Sequence, residues 1–448
     1  MMNSPMGQRS IRTNGATATV NGGNVDLGYS QVKVRIHQRL IRDLDPSKLQ
    51  SQPLERARET LEEAISQVML EEGVTLPRPV RLTLIQELCD DVLGFGPLEP
   101  LLNDPSVSEI MVNAPDEVWV EREGKLEESG VRFRDDDHIL AMVDKILTPL
   151  NRRVDESSPM VDARLPAGYR VNVIIPPLAV RGPSVTIRKF FNERFSMDDM
   201  VRIDSVSQEV ADFLQACVEA RINILISGGT GSGKTTLLNA LSAFVPPTER
   251  VVTIEDPAEL KLRGKHVVSL ETRPPNVEGK NQVTQRQLVV NALRMRPDRI
   301  IVGEVRAGEA FDMMQAMNTG HDGSICTVHA NTPRDALARV ENMVLMAGFD
   351  LPVRAIREQI ASAIHLIVHI GRMRDGSRRV THISEVAGME QQTVTMQDIF
   401  VFEQQGIGPD DKIRGKMTST GLRPRCADRI QQAGILLRPD LFKRPGGW

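Results

Sequence analysis

An α/β fold organised on a parallel sheet is what the sequence predicts, on three observations. Gly228-Gly229-Thr230-Gly231-Ser232-Gly233-Lys234-Thr235 has the spacing of a phosphate-binding loop, and it stands between the apolar run 223–227 and the helical pattern 236–241. That is the strand-loop-helix context such a loop requires. Downstream, short apolar runs alternate with helical periods, as parallel strands and their crossover helices do. Upstream, a purely helical stretch and then short strands with one helix predict two smaller units before the main sheet.

Residues 1–30 are rich in Gly, Asn, Ser and Thr with Tyr29 as the only aromatic residue. That is too little apolar surface to offset the entropy of ordering, and the segment reads as a tail. Over 31–93, Val32, Ile36, Leu40 and Ile41, then Leu54, Leu61, Ile65, Val68 and Met69, then Leu82, Leu84, Ile85 and Leu88 recur at helical spacing, punctuated by Asp45-Pro46 and Pro77-Arg78-Pro79. This predicts a three-helix unit. Gly94-Phe95-Gly96-Pro97 marks the next boundary. From 94 to 192 the runs 110–112, 118–120, 131–133, 171–175 and 185–187 read as strands, and 138–150 as a helix with Ile139, Met142, Val143, Ile146 and Leu147 on one face. They predict a mixed α/β domain. The polar, aperiodic stretch 193–204 reads as a linker. The main domain, 205–448, opens with a helix at 208–220; strands follow the loop at 251–254, 266–270, 299–302 and 324–328, with helices at 284–295, 308–318 and 333–346. The last helix has a legible start, with Thr332 as N-cap, Pro333 first in the helix and Asp335 in the first turn. Runs 366–370, 379–386 and 399–403 read as strands of an antiparallel edge, and 423–442 as a helical tail.

Composition excludes several classes. The 448 residues are 40% hydrophobic and carry a net charge of -4, and with 4% aromatic residues the core must be mostly Leu, Ile, Val and Met. No global basic field exists, so direct nucleic-acid binding is not expected. Cys89, Cys217, Cys326 and Cys426 lie far apart without a C-x-x-C pair, which gives no support to a zinc ribbon or a local disulfide framework and makes a reducing cytoplasm the expected compartment. No apolar run approaches the roughly 20 residues needed to span a bilayer, so membrane contact is expected only through a partner.

In the loop, the glycines let the backbone N–H groups from Gly228 to Thr236 curl round phosphates, Lys234 reaches the β- and γ-phosphates, and the Thr235 hydroxyl is placed for Mg²⁺. The chemistry then depends on acids at neighbouring strand ends. Thr253-Ile254-Glu255-Asp256-Pro257-Ala258-Glu259 ends a strand in three carboxylates. Beside a triphosphate that grouping makes sense only where Mg²⁺, water or arginines share the charge; the plain alternative is a solvated acidic turn. Arg299-Ile300-Ile301-Val302-Gly303-Glu304 brings one carboxylate to a strand end, the way an NTPase places an acid beside its magnesium shell. In Gly320-His321-Asp322-Gly323-Ser324-Ile325-Cys326-Thr327-Val328-His329-Ala330-Asn331, His321 precedes a strand that Thr327 and His329 close; the histidines would sense the γ-phosphate or hold the acids in place. Arg164, Arg170 and Arg188, near strand ends of the earlier domain, read by themselves as surface arginines.

The succession of the P-loop, 253–259, Leu293-Arg294-Met295-Arg296-Pro297-Asp298 with Gly303-Glu304-Val305-Arg306, and 321–331 resembles the Walker A, Asp box, Walker B and His box of the type II/type IV secretion ATPases, over about residues 94–390. Within that family, Gly94-Phe95-Gly96-Pro97-Leu98-Glu99-Pro100-Leu101-Leu102, the wording Gly303-Glu304-Val305-Arg306-Ala307-Gly308-Glu309-Ala310 and the added helical unit resemble the TadA/CpaF branch, which powers tight-adherence (Flp) pili. The pilus-extension and type II secretion branch carries a four-cysteine zinc insert and an Asp at the position of Ala307, and this chain has neither.

The resemblance implies a RecA-like ATPase domain behind a PAS-like N-terminal domain. It further implies a homohexamer that uses ATP and Mg²⁺ and works on the cytoplasmic side of the inner membrane through pilus platform proteins. Lys234 and Thr235 would hold phosphate and metal, with Glu255 and Asp256 in the nucleotide-binding Asp box. Glu259 would be the base that activates water and Glu304 the Walker B acid at the metal. His321 and His329 match the His-box histidines, and Arg164, Arg170 and Arg188 the arginines that reach the nucleotide within or across subunits. Two other readings stay open: a traffic ATPase of a type IV secretion (conjugation) machine, and a RecA-like nucleic-acid translocase, against which the charge and the few aromatic residues weigh.

Overall fold

The computed structural model describes residues 24–43, 52–122, 124–189, 195–262, 264–276, 279–409 and 411–444; of the tail predicted over 1–30, residues 1–23 lie outside them. The chain divides into two compact units after Lys189. In the first, α1 (Asn24–Asp43), α2 (Leu54–Glu71) and α3 (Arg78–Leu93) are the three helices, with α1 opening at Asn24, inside the stretch read as tail. Their apolar stripes bury Ile36, Leu40, Leu61, Ile65, Leu84 and Leu88 in one core, each fully buried side chain contributing about 1.5–3 kcal/mol. Lys33 Nζ stands 2.9 Å from Glu87 and 3.1 Å from the buried Asp91. Lys145 Nζ, from the following domain, donates to the carbonyls of Asp91 and Val92 and ties the helices to it.

That domain is an antiparallel sheet in the order β3-β2-β1-β6-β5-β4, made of β1 (Val107–Ala114), β2 (Glu117–Arg122), β3 (Lys125–Glu128), β4 (Met160–Arg164), β5 (Arg170–Ile174) and β6 (Ser184–Arg188). The short α4 (Glu99–Asn103) leads in, and α5 (Asp136–Leu147) lays the five predicted apolar residues on the sheet. Asp135 caps α5 by accepting from His138 N at 2.8 Å. Two strands escape the sequence pattern: β3 is exposed at every position, and β4 has no residue buried, so neither shows the alternation that burial imposes. Conversely 131–133, predicted as a strand, joins no ladder. Its Phe133 is buried in the core and its backbone N donates to Pro115 O at 2.7 Å.

The second unit starts at Phe190, and its first helix lies in the stretch predicted as a linker. Ser196 and Asp199 form a capping box for α6 (Met197–Arg202), whose Met197 and Met200 enter the main core; the polar caps had masked a helix too short to show a period. After α7 (Gln208–Glu219), a nine-stranded sheet runs β15-β14-β13-β12-β7-β11-β10-β8-β9. The strands β7 (Ile224–Gly228), β8 (Val251–Glu255), β9 (Val267–Glu271), β10 (Arg299–Val302), β11 (Ile325–His329) and β12 (Leu366–Arg372) are parallel. β13 (Arg378–Glu390), β14 (Thr393–Ile407) and β15 (Ile413–Ser419) extend it antiparallel, so 366–370 is the last parallel strand rather than part of the antiparallel edge. One face packs α7 and α8 (Lys234–Ser242), the other α9 (Gln285–Ala292), α10 (Glu309–Asn318), α11 (Pro333–Met346) and α12 (Val353–Ala363). The predicted helical tail is helical only at α13 (Cys426–Gln432); Pro424, Gly434 and Pro439 confine it.

A charged group anchors the base of the sheet. Arg299, wholly buried at the start of β10, is ion-paired with Glu249 and donates to Val218 O at 2.6 Å and Gly323 O at 3.4 Å. Glu249→Gln should cost about 3–5 kcal/mol in the unfolding free energy, because it strands a buried guanidinium. Urea denaturation measures this, and an unchanged midpoint would refute it.

Candidate functional site

β7 is buried throughout and sits mid-sheet between β11 and β12. The loop after it turns where only glycine is comfortable: Gly231 has φ +67° and Gly233 φ +98°. A side chain at Gly228 would meet Ile370 O at 2.3 Å. Lys234 opens α8 and folds back over the loop, its Nζ donating to Gly228 O at 3.1 Å and Gly229 O at 2.8 Å. Ser232 Oγ is buried with no hydrogen-bond partner among the described residues. Thr235 and Thr236 complete the first turn of α8, whose N-terminal amides and dipole favour an anion.

The three carboxylates of the 255–259 loop occupy different environments. Glu255, 2% exposed at the end of β8, accepts at Oε1 from the backbone N of Glu259 (2.9 Å) and Leu260 (2.8 Å). It therefore shapes the loop, and its other oxygen is buried with no partner among the described residues. Burial pushes its pKa from 4.5 up to about 7, against the two N–H donors that favour the anion. Asp256 is exposed, 4.0 Å from Arg306 Nη1. Glu259 is half-buried on a segment whose far side is held where Lys261 N donates to Asn239 Oδ1 of α8 at 3.0 Å.

The raised Glu255 sets a pH dependence. Between 4.5 and about 7 the folded chain keeps a proton that the unfolded chain has released, so this group contributes stability that is full at low pH and lost as pH rises through about 7. Glu255→Gln should flatten stability across that window; urea midpoints on either side of it, if they keep the wild-type difference, would show that another group is responsible.

Beyond β10, Arg306 grips Glu304 Oε2 with Nε at 3.0 Å and Nη2 at 2.7 Å, and His329 Nε2 stands 3.8 Å from Glu304 Oε1. Burial, with the Lys234 ammonium nearby, holds the His329 pKa below its ordinary value. Glu309 Oε1 accepts from the backbone N of Arg306 (2.6 Å) and Ala307 (2.9 Å), fixing the turn that carries Glu304. Thr327 Oγ1 donates to Gly303 O at 2.6 Å.

His321 is not brought to this edge. β11 runs parallel to β7 with His329 opposite Gly228, so His321, four residues before the strand, lies at the opposite edge from the P-loop. There its backbone N donates to Ala316 O at 3.3 Å and its carbonyl accepts from Ser324 Oγ at 2.7 Å. A five-residue strand alone separates its ends by roughly 13 Å, so two histidines that flank it do not share one site.

In the first unit, Arg164, Arg170 and Arg188 form a row. Arg164 is the direct cross-strand partner of Arg170, and Arg170 of Arg188. The row lies on the open face, opposite the buried Val171, Val173, Val185 and Ile187. Glu109 continues it on β1, 3.4 Å from Arg188 Nε. Two further arginines, which no sequence motif marks, stand at the P-loop. The hairpin between β12 and β13 lies over the P-loop: Arg378 Nε donates to Gly231 O at 2.9 Å, and Arg372 Nη1 would stand 3.8 Å from a side chain at Gly231. The signal was the Asp375-Gly376 turn between two β runs.

A glycine-rich loop on a central parallel strand, with acids at the ends of the strands beside it, defines a RecA-like P-loop domain. The chain belongs to the type II/IV secretion system protein family, whose model matches residues 91–408. The helical unit matches a second model, the N-terminal domain of type II secretion system protein E, over 29–93. A Mycobacterium tuberculosis protein named for conjugal transfer is 37% identical over 336 residues, 74% of this chain and 94% of the relative. The type IV secretion system protein PtlH of Bordetella pertussis is 37% identical over 311 residues, 63% of this chain and 91% of its own length. Among solved structures, the VirB11 ATPase of the Brucella suis type IV secretion system, crystallised with sulphate, is 30% identical and covers 64% of this chain and 94% of its own, with a TM-score of 0.36.

Proposed function

We propose that the chain is a Mg²⁺-dependent ATPase, assembled as a homohexamer, that drives a pilus or secretion machine at the inner membrane through platform proteins. The observation that carries this is the convergence of Lys234, Glu304 and the 255–259 loop on the carboxyl edge of one parallel sheet, where such sheets bind nucleotides. In this reading Lys234 exchanges its two loop carbonyls for the β- and γ-phosphates. Glu259 takes a proton from the attacking water as its oxygen bonds to the γ-phosphorus and the bond to the bridging oxygen breaks, releasing ADP. Arg306 holds Glu304 in one orientation with His329 beside it, and the arginine row supplies positive charge to the transferring group. The hydroxyl of Thr235 and the carboxylate of Glu304 are hard oxygen donors suited to Mg²⁺, and the buried, unpartnered Ser232 hydroxyl marks a polar cradle. Bound there, the ion would neutralise phosphate charge.

The finer reading is a Flp/tight-adherence pilus motor of the TadA/CpaF kind, supported by the 94–102 and 303–310 wording and by the helical unit ahead of the α/β domain. A second reading, a traffic ATPase of a conjugation-type secretion system, is favoured by the relatives named for conjugal transfer and type IV secretion. No helix among the described residues is long and apolar enough to cross a membrane, and the proposed membrane contact runs through partners. The purified chain should hydrolyse ATP only with Mg²⁺, and Lys234→Ala should lose both binding and turnover. Absent turnover in a folded, assembled wild type would overturn the ATPase reading, and strong stimulation by single-stranded DNA would replace the pilus reading with a translocase.

A further inference from the structure

The direction in which a nucleotide must lie follows from the order of the strands. Starting at the P-loop on β7, one side of the sheet leads through β11 and β10 to β8, carrying His329, Glu304 and the 255–259 carboxylates at successive strand ends; the other side leads to β12 and β13. The γ-phosphate is the group that is cut, so it must point toward the acids. The nucleoside then points the other way, toward the hairpin. Arg372 and Arg378 stand there at the outer edge of the loop, both exposed, with Arg378 already anchored on Gly231 O at 2.9 Å and its Cδ 3.4 Å from where a side chain at Gly233 would be.

The hairpin is built rigidly for an exposed turn. Asp375 accepts from Ser377 N at 3.0 Å and Ser377 Oγ at 2.6 Å with one oxygen, and from Ile413 N of β15 at 2.8 Å with the other. Met373 N donates to Ser377 O at 2.7 Å. Ser205 Oγ donates to Arg378 O at 2.6 Å, and Arg379 pairs with Asp204. These bonds fix the backbone that presents Arg372 and Arg378. A guanidinium is planar, stacks on aromatic faces and retains donors along its edge, which suits a base and a ribose.

We propose that Arg372 and Arg378 hold the nucleoside end of the bound nucleotide, their planes lying against base and ribose, and so determine nucleotide affinity apart from the phosphate cradle. This rests on the nucleotide-binding reading above and deepens it. The test is calorimetric titration of the full chain with two probes, ADP and inorganic tripolyphosphate. Arg372→Ala combined with Arg378→Ala should weaken ADP about tenfold, the scale of one lost stacking contact, and leave tripolyphosphate unchanged. Arg378→Lys alone, which keeps the charge and loses the plane, should also weaken ADP. Equal losses for both probes would make the arginines phosphate ligands and overturn the proposal, as would no loss for either, or full ADP affinity in Arg378→Lys. Lys234→Ala separates the two levels: it should lose both probes, and if it keeps both, the nucleotide reading itself fails whatever the arginines do.

Discussion

Glu259→Gln is expected to leave ATP binding intact and to lower turnover by about 10²–10⁴, the usual contribution of a positioned general base. The expectation comes from sorting three neighbouring carboxylates by what holds them. Glu255 is buried and spends Oε1 on the backbone N–H groups of residues 259 and 260, so its loss should disturb the loop rather than remove a base. Asp256 is exposed beside Arg306. Glu259 is carried by backbone gripped on one side by Glu255 and on the other, through Lys261, by Asn239 of the P-loop helix. A half-buried carboxylate on a pinned segment at the acidic end of the site is placed where a base is needed. Equilibrium binding of ATP with single-turnover hydrolysis separates the cases: turnover near wild type would remove Glu259 as the base, and lost binding would make it structural.

How much of this was legible in the sequence depended on burial. The P-loop strand, β10 and α11 fall where periodicity puts them, because strands in the middle of a parallel sheet are apolar along their whole length and a Thr-Pro cap has its own chemistry. The exposed β3 and β4 carry no alternation, and α6 is too short to display one; tertiary pairing alone creates them. The site divides similarly. Lys234, Glu304 and the 255–259 loop were legible because motif and strand end coincide. Glu255 as a loop organiser was not, since only three dimensions show a carboxylate turned back on its own backbone. Arg372 and Arg378 belong to a hairpin far along the chain, and its approach to Gly231 is set by the register of β12 on β7. His321 shows the converse failure, a residue adjacent in sequence to a site strand and at its wrong end.

Arg170→Ala should reduce ATP turnover by about 10³ or more, the range for a charge-stabilising arginine in phosphoryl transfer, without lowering the stability of its domain. The second half of that expectation follows from the sheet. Arg170 stands directly opposite Arg164 on one side and Arg188 on the other, and like charges in direct cross-strand register cost about 0.2–1 kcal/mol per pair. Among the described residues, Asp162 lies 3.7 Å from Arg170 and Glu109 3.4 Å from Arg188. Removing the middle guanidinium relieves two repulsions and gives up only the exposed Asp162 contact, a kind of pair that contributes little. A row of cations in direct cross-strand register is suited to an external anion, and a triphosphate is the anion this family reading supplies. If the row acts across subunits, activity in mixed assemblies of Arg170→Ala and wild-type chains should fall faster than the mutant fraction rises; strict proportionality would confine the arginine to its own subunit. A variant that loses turnover and also melts well below wild type would instead make Arg170 part of the scaffold, and the row would no longer argue for a bound phosphate.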